Sequence, residues 1–502
     1  MSYVIGVDLG TSAVKVLLVN HNGKVVKEAS REYPVINSQS GYSEQDPEDW
    51  VNGTFQALKE ITSSLAADEK IDSISFAGQM HGLVMVDEGG KVIRPAILWN
   101  DTRTTEQCHD IVNTLGNEKL FELTKNPALE GFTLPKMLWV KKHEPENWQR
   151  LYQFMLPKDY VRYRMTGEMA MDLSDAAGTL LLNVEKGEWS SEVLKAFKIE
   201  ESRCPKLLFS TDQTGELLPD VISETGLNAS VKVFAGGADN ACGAIGAGVL
   251  KEGLSMCSIG TSGVVLSYEK RGDLDFEGKV HYFNHGVPDA YYTMGVTLAA
   301  GDSLYWYRKN FAPDLSFDEL IQEAALTPAG AEGLVFTPYI SGERTPYADA
   351  IVRGSFIGID KRHTRGHFTR AVLEGITFSL NESLNIFRDR DKVIDQIVSI
   401  GGGAKSDFWL QLQADIFDAE ILKLNSEQGP GMGAAMIAAV GSGWFNDLTE
   451  CADRFLAVGT VVKPNMENKE FYKSLFSVYK QVYNQTKEIS RMLNECKERV
   501  VK

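Results

Sequence analysis

The sequence predicts an α/β protein whose two large domains face one another across a cleft. Three observations lead there: the chain is 502 residues long, a strand-turn-strand element containing Gly-Thr-Ser opens each half, and four glycine-rich segments follow runs that read as strands. One hydrophobic core stops growing well before this length, so two domains, each with a full interior, are expected. Apolar residues at 43% and charged residues at 24% belong to a folded globular chain.

The elements follow in order. Val4 to Val7 is a short apolar run ending in Asp8-Leu9-Gly10-Thr11-Ser12, after which Val14, Val16 and Leu18 alternate as far as His21-Asn22-Gly23. This predicts a strand, a glycine turn and a returning strand. Ser73 to Ala77 reads as a strand running into Gly78-Gln79-Met80-His81-Gly82, and a second one runs into Leu98-Trp99-Asn100-Asp101. Thr133 is expected to cap a helix with Pro135 in its first turn. Val231 to Phe234 is a strand before Gly236-Gly237-Ala238-Asp239-Asn240 and an Ala/Gly-rich helix. The boundary is expected between Gly246 and Gly253, giving units 1–246 and 252–502. Ser255 to Ile259 then enters Gly260-Thr261-Ser262-Gly263 and returns through Val264 to Leu266, repeating the opening element. Val372, Ile376, Leu380, Leu384 and Phe387 form the apolar stripe of a later helix. From Tyr472, Phe476, Tyr479 and Val482 on to Ile489 and Leu493, helical spacing predicts a last helix packed on a domain, with a dimer contact as the alternative.

Composition narrows the partners. With 51 basic against 68 acidic side chains the net charge is -17, which repels a polyanion and points to a small-molecule partner in place of nucleic acid. The six cysteines lack any CxxC pair, so neither a zinc site nor a disulfide framework is suggested. No leader pattern and no 18-residue apolar stretch occurs, so a cytoplasmic protein is expected.

The glycine-rich segments are Asp8 to Ser12, Gly260 to Gly263, Gly401 to Ser406 and Gly429 to Gly433. Amides free of Cβ crowding approach phosphate oxygens closely, so four such segments point to a nucleotide. None has the Walker A spacing or the dinucleotide fingerprint in context. The architecture left is the actin-like, ribonuclease-H-like fold, in which Asp8 would sit where a magnesium-phosphate complex needs a carboxylate. Asp239 fits two roles equally: a helix N-cap, or a general base for a sugar hydroxyl. His81 reads as structural or as a ligand, and Trp99 as core or as the apolar wall of a sugar site; their place at strand ends keeps the site reading open. No His-Glu-x-x-His motif is present.

Two longer patterns carry a family resemblance over essentially the whole chain. Gly131 to His143, through Thr133, Lys136, Trp139 and Lys142, resembles the first signature of the FGGY carbohydrate kinases. Gly354 onward, through Phe356, Gly358, Ile359, His367, Phe368, Ala371 and Glu374, resembles the second. Both segments read as structural helices. Thr337 to Pro346 and the Gly78 to Gly82 segment add to the likeness, and Met80-His81 stands where glycerol-specific members carry Arg-Glu.

The resemblance implies two ribonuclease-H-like domains, ATP and Mg2+ as cofactors, and D-xylulose as the sugar, with gluconate or ribulose as alternatives. It implies Asp239 as the base, with Asn240, Met80, His81 and Trp99 around the sugar. Asp8 falls near magnesium, with Gly10, Thr11 and Ser12 in one phosphate hairpin and Gly260, Thr261 and Ser262 in the other. Gly402 and Gly403 fall beside adenosine and Trp306 near the nucleotide, while Ser406 stands where many relatives have Asn. A homodimer is the family expectation. The reading from a different class is a non-kinase actin-like ATPase or a sugar-sensing regulator.

Overall fold

Val4, Ile5 and Val7 are all buried although they alternate between the two faces of one strand, as happens when a sheet is covered on both sides. That strand, Ser2–Leu9, lies between its antiparallel return Ala13–Asn20 and the parallel strand Lys70–Gly78. The sheet runs Lys232–Val233, Lys70–Gly78, Ser2–Leu9, Ala13–Asn20, Val25–Glu32, with Gly237–Ala238 also paired to Lys70–Gly78. The computed structural model describes residues 1–426 and 428–501, the last four without side-chain detail. Lys502, the end of the expected second unit, lies outside the described residues.

The second half repeats the plan. Gly253–Ile259 sits between the antiparallel Gly263–Glu269 and the parallel Ile394–Gly401, inside a seven-stranded sheet. In both halves the register brings the end of the first strand beside a glycine, Leu9 opposite Gly78 and Ile259 opposite Gly401. Both glycine hairpins thus leave the carboxyl ends of parallel strands, where α/β sheets bind ligands.

The helix Gly429–Gly441 belongs to the second half of the sequence but covers the first sheet. Met432, Ala435, Met436 and Ala439 join Val4, Leu17, Val19, Ala77 and Phe234 in one buried cluster. The contact is backbone on backbone. A Cβ on Gly6 would lie 2.0 Å from the Gly431 carbonyl oxygen, and one on Gly433 would lie 1.9 Å from that of Cys242. Gly431 and Gly433 therefore serve close helix packing. This corrects the nucleotide-side reading of the Gly429 to Gly433 segment.

Thr133 is the first helical residue of Thr133–His143 and Phe132 is the cap. The expected cap role is replaced by a bond from the Thr133 hydroxyl to the His81 carbonyl, 3.1 Å. The long helix Arg365–Arg388 is buried along most of its length, and its Glu374 accepts from Arg370 and from the Tyr472 hydroxyl. Tyr472, Phe476, Tyr479 and Val482 of Met466–Val501 pack as expected. Ile489 and Leu493 do not: they are 54% and 64% exposed, because the helix outruns the domain it lies on.

Candidate active site

Asp8 stands one residue from the end of its strand, half-buried, and no side chain among the described residues bonds its carboxylate. Burial pushes its pKa up to about 6, against the pull of Lys15. Asp239 is the first residue of the helix Asp239–Gly246, and Ala238, not Asp239, occupies the cap position. One carboxylate oxygen of Asp239 accepts from the Asn240 backbone at 2.7 Å and from Asn240 Nδ2 at 2.9 Å. Burial first, and then the charge of Asp8, raise Asp239 to about 7. The charge of Asp8 acts on Asp239, and an Asp8 carboxylate with no side-chain partner among the described residues has the oxygen chemistry that would suit Mg2+.

The backbone that aims Asp239 is over-determined. Gly236 has φ +80, and a Cβ there would lie 2.1 Å from the Phe76 carbonyl oxygen, so only glycine fits. Ala238 N donates to Ser174 Oγ at 2.9 Å and Arg162 donates to the Ala235 carbonyl at 2.7 Å. Beneath them the buried Lys158 ammonium reaches Asp159, Asp172 and Asp175 at 2.6, 2.7 and 2.9 Å. Lys158 occupies the place a metal would take among those three acids. The arrangement is a support for the site, since a buried charge cluster is retained only where its geometry is satisfied.

A cavity of about 270 Å³ collects Met80, His81, Trp99, Asp239 and Asn240 from the first half and Ser262 from the second. His81 holds a left-handed backbone, φ 68. Its Nδ1 lies 2.6 Å from the Gly178 carbonyl oxygen, and burial depresses its pKa to about 3. The ring is therefore neutral with its proton on Nδ1, which leaves Nε2 as an acceptor. Trp99 is 44% exposed, so it is a wall and not core. Phe132 packs tilted against His81, with ring centres 4.7 Å apart.

A second cavity, about 570 Å³, is bordered by Gly260, Thr261, Gly402, Gly403 and Ser406. Tyr305, Phe317 and Ile321 give it an apolar wall suited to a planar base. Ser406 Oγ also caps the helix Asp407–Phe417 by accepting from Trp409 N at 3.3 Å. Trp306 is turned away and stacks on Phe336, centres 6.4 Å apart; its neighbour Tyr305 lines the cavity instead. The hairpin Gly260 to Ser262 faces the second cavity with its first two residues and the first cavity with its third. Gly10, Thr11 and Ser12 form the facing hairpin, held by Gln45 Nε2 donating to the Thr11 carbonyl at 2.7 Å and by the Tyr33 hydroxyl donating to that of Gly10.

Sequence reasoning missed the wall that the second half gives the smaller cavity: Phe283, Met294 and Arg344. Phe283 and Met294 sit in alternating apolar strands, where a cavity-facing residue looks like core. Arg344 lies in the Thr337 to Pro346 segment, and a lone arginine between Glu343 and Thr345 was the available signal.

The N-terminal domain description of the FGGY carbohydrate kinases matches residues 3–246 and the C-terminal one matches 255–442. Xylulose kinase of Bacillus subtilis is 56% identical over 98% of this chain and 99% of its own. The crystal structure of ligand-bound xylulose kinase from Lactobacillus acidophilus superposes with a TM-score of 0.92 at 28% identity, over 97% of this chain and 98% of that one. Gluconate kinase from Lactobacillus acidophilus superposes with the same TM-score, identity and coverage. Both halves of the chain thus belong to the FGGY family of carbohydrate kinases.

Proposed function

We propose that the chain phosphorylates D-xylulose with ATP and Mg2+, giving D-xylulose 5-phosphate and ADP. One observation carries the reading: two cavities meet at the single hairpin Gly260 to Ser262, and Asp239 stands in the smaller one. A sugar in the smaller cavity and a nucleotide in the larger would place a hydroxyl and a phosphoryl group on either side of that hairpin. Asp239 takes the proton of the C5 hydroxyl as its oxygen bonds to the γ-phosphorus and the bond to the ADP oxygen breaks. Asn240 holds the accepting carboxylate in place. The backbone amides of the two hairpins steady the phosphate oxygens, and bound Mg2+ would neutralise their charge beside Asp8. Met80, His81 and Trp99 orient the sugar, which limits transfer to water.

The relatives named xylulose kinase support the choice of ketopentose. The test is ADP release with MgATP against D-xylulose, D-ribulose, L-ribulose, D-gluconate and glycerol, each beside a blank without sugar. Selective stimulation by D-xylulose is the expected result. Stimulation by D-gluconate alone overturns the substrate, and turnover indifferent to sugar overturns the kinase reading.

A further inference from the structure

Arg344 lines the sugar-side cavity from the second half, with its side chain exposed to the cleft. Among the described residues its guanidinium has neither an ion-pair nor a hydrogen-bond partner; Glu343 and, across the cleft, Glu130 act on it only at a distance. Its backbone is firmly held. Arg344 N donates to Glu343 Oε1 at 2.8 Å, and the same carboxylate accepts from Leu298 N, the Thr297 hydroxyl and the Ser379 hydroxyl. Thr345 exchanges two bonds with Val296, at 3.0 and 3.1 Å. A rigid loop therefore presents five N–H donors that the chain itself does not use.

Arg344 lines the same cavity as His81, Phe283, Met294 and Asp239. Each hydroxyl of an open-chain ketose both donates and accepts, whereas its carbonyl oxygen only accepts, which matches it to a group that only donates.

We propose that Arg344 is a specificity-determining residue that donates to the carbonyl oxygen of an open-chain ketose. The proposal rests on the kinase reading above and adds the contact by which the second half recognises the sugar. The experiment compares wild type, Arg344→Met and Arg344→Lys for binding of D-xylulose, of D-gluconate, and of xylitol and D-arabitol, the pentitols made by reducing the carbonyl.

Arg344→Met should weaken D-xylulose binding about 10- to 100-fold, as for loss of a charge-assisted bond, and pentitol binding by less than about 3-fold. Arg344→Lys should recover part of the loss, and thermal midpoints should stay put because the side chain has no internal partner. Equal losses for ketose and pentitols would make Arg344 a clamp toward Glu130 and overturn the proposal. So would lost D-gluconate binding with D-xylulose binding kept, or no loss at all. A wild-type chain that binds neither ketose nor pentitol overturns the kinase reading and this proposal with it.

Discussion

The indole Nε1 of Trp99 donates to the Thr11 hydroxyl at 2.9 Å, joining the wall of the sugar-side cavity to the turn of the first phosphate hairpin. One bond thus spans the two places where the proposed mechanism grips sugar and phosphate. Trp99→Phe keeps the wall and removes the donor, while Thr11→Val removes the acceptor. Each should raise the KM of sugar and of ATP together, several-fold, and the pair should be non-additive by about 0.5–1.5 kcal/mol in a double-mutant cycle on kcat/KM. Additive effects would show that the bond couples nothing.

Asp239 gives a prediction about rate. Its pKa of about 7 should appear as an acid limb near neutrality in the pH profile of kcat/KM. Asp239→Asn should lower kcat by about 10²- to 10⁴-fold with the fold intact. Near-normal turnover would remove Asp239 from the chemistry.

The same shift predicts a gain in stability. The unfolded carboxyl ionises near 3.8 and the folded one near 7, so between these values the folded state holds more protons. Wild-type stability from this group therefore falls as pH rises through that window. Asp239→Asn lacks the slope, so its thermal midpoint should match wild type near pH 4 and exceed it at pH 8. A gap that does not change with pH would refute the assigned shift.

Asp8 raises Asp239 through its charge. Asp8→Asn should move the acid limb to lower pH while weakening Mg2+ binding, with the half-saturating Mg2+ concentration rising about tenfold or more. Titration of rate with Mg2+ at several pH values reads both effects. An unmoved limb would separate the two carboxylates.

Gly178 has a simple steric test. A Cβ there would lie 2.8 Å from His81 Nδ1 and 3.1 Å from Met80 Cε. Gly178→Ala should push both residues from the sugar and cost up to about 100-fold in kcat/KM for sugar. Nucleotide binding, measured without sugar, should be unaffected.

Much of this site is legible in sequence because strand ends announce themselves. Asp8, Met80-His81 and Gly402-Gly403 all follow apolar runs broken by glycine, and the structure places Met80-His81 and Gly402-Gly403 on cavities and Asp8 one residue from the end of its strand. Two kinds of residue escape. Trp306 and Tyr305 are adjacent on one helix, so their side chains point about 100° apart, and no local pattern says which faces the nucleotide side. Arg344 and Phe283 complete a cavity begun about 200 residues earlier, and nothing in a linear pattern records which far strand closes a pocket. The Gly429 to Gly433 segment misled for a related reason: glycine serves phosphate approach and helix contact equally well.

The helix Gly429–Gly441, which covers Val4, Leu17, Val19 and Ala77, also sets an order of events on the ribosome. A nascent chain that has emerged as far as Gly246 carries every strand of its first sheet and lacks the cover for one face. At about 5–20 residues per second, roughly 10 to 40 seconds pass before that cover arrives. Throughout this interval an apolar sheet face is open to chaperones and to neighbouring chains. Slow translation between Gly253 and Gly429 therefore taxes the half that has already been made.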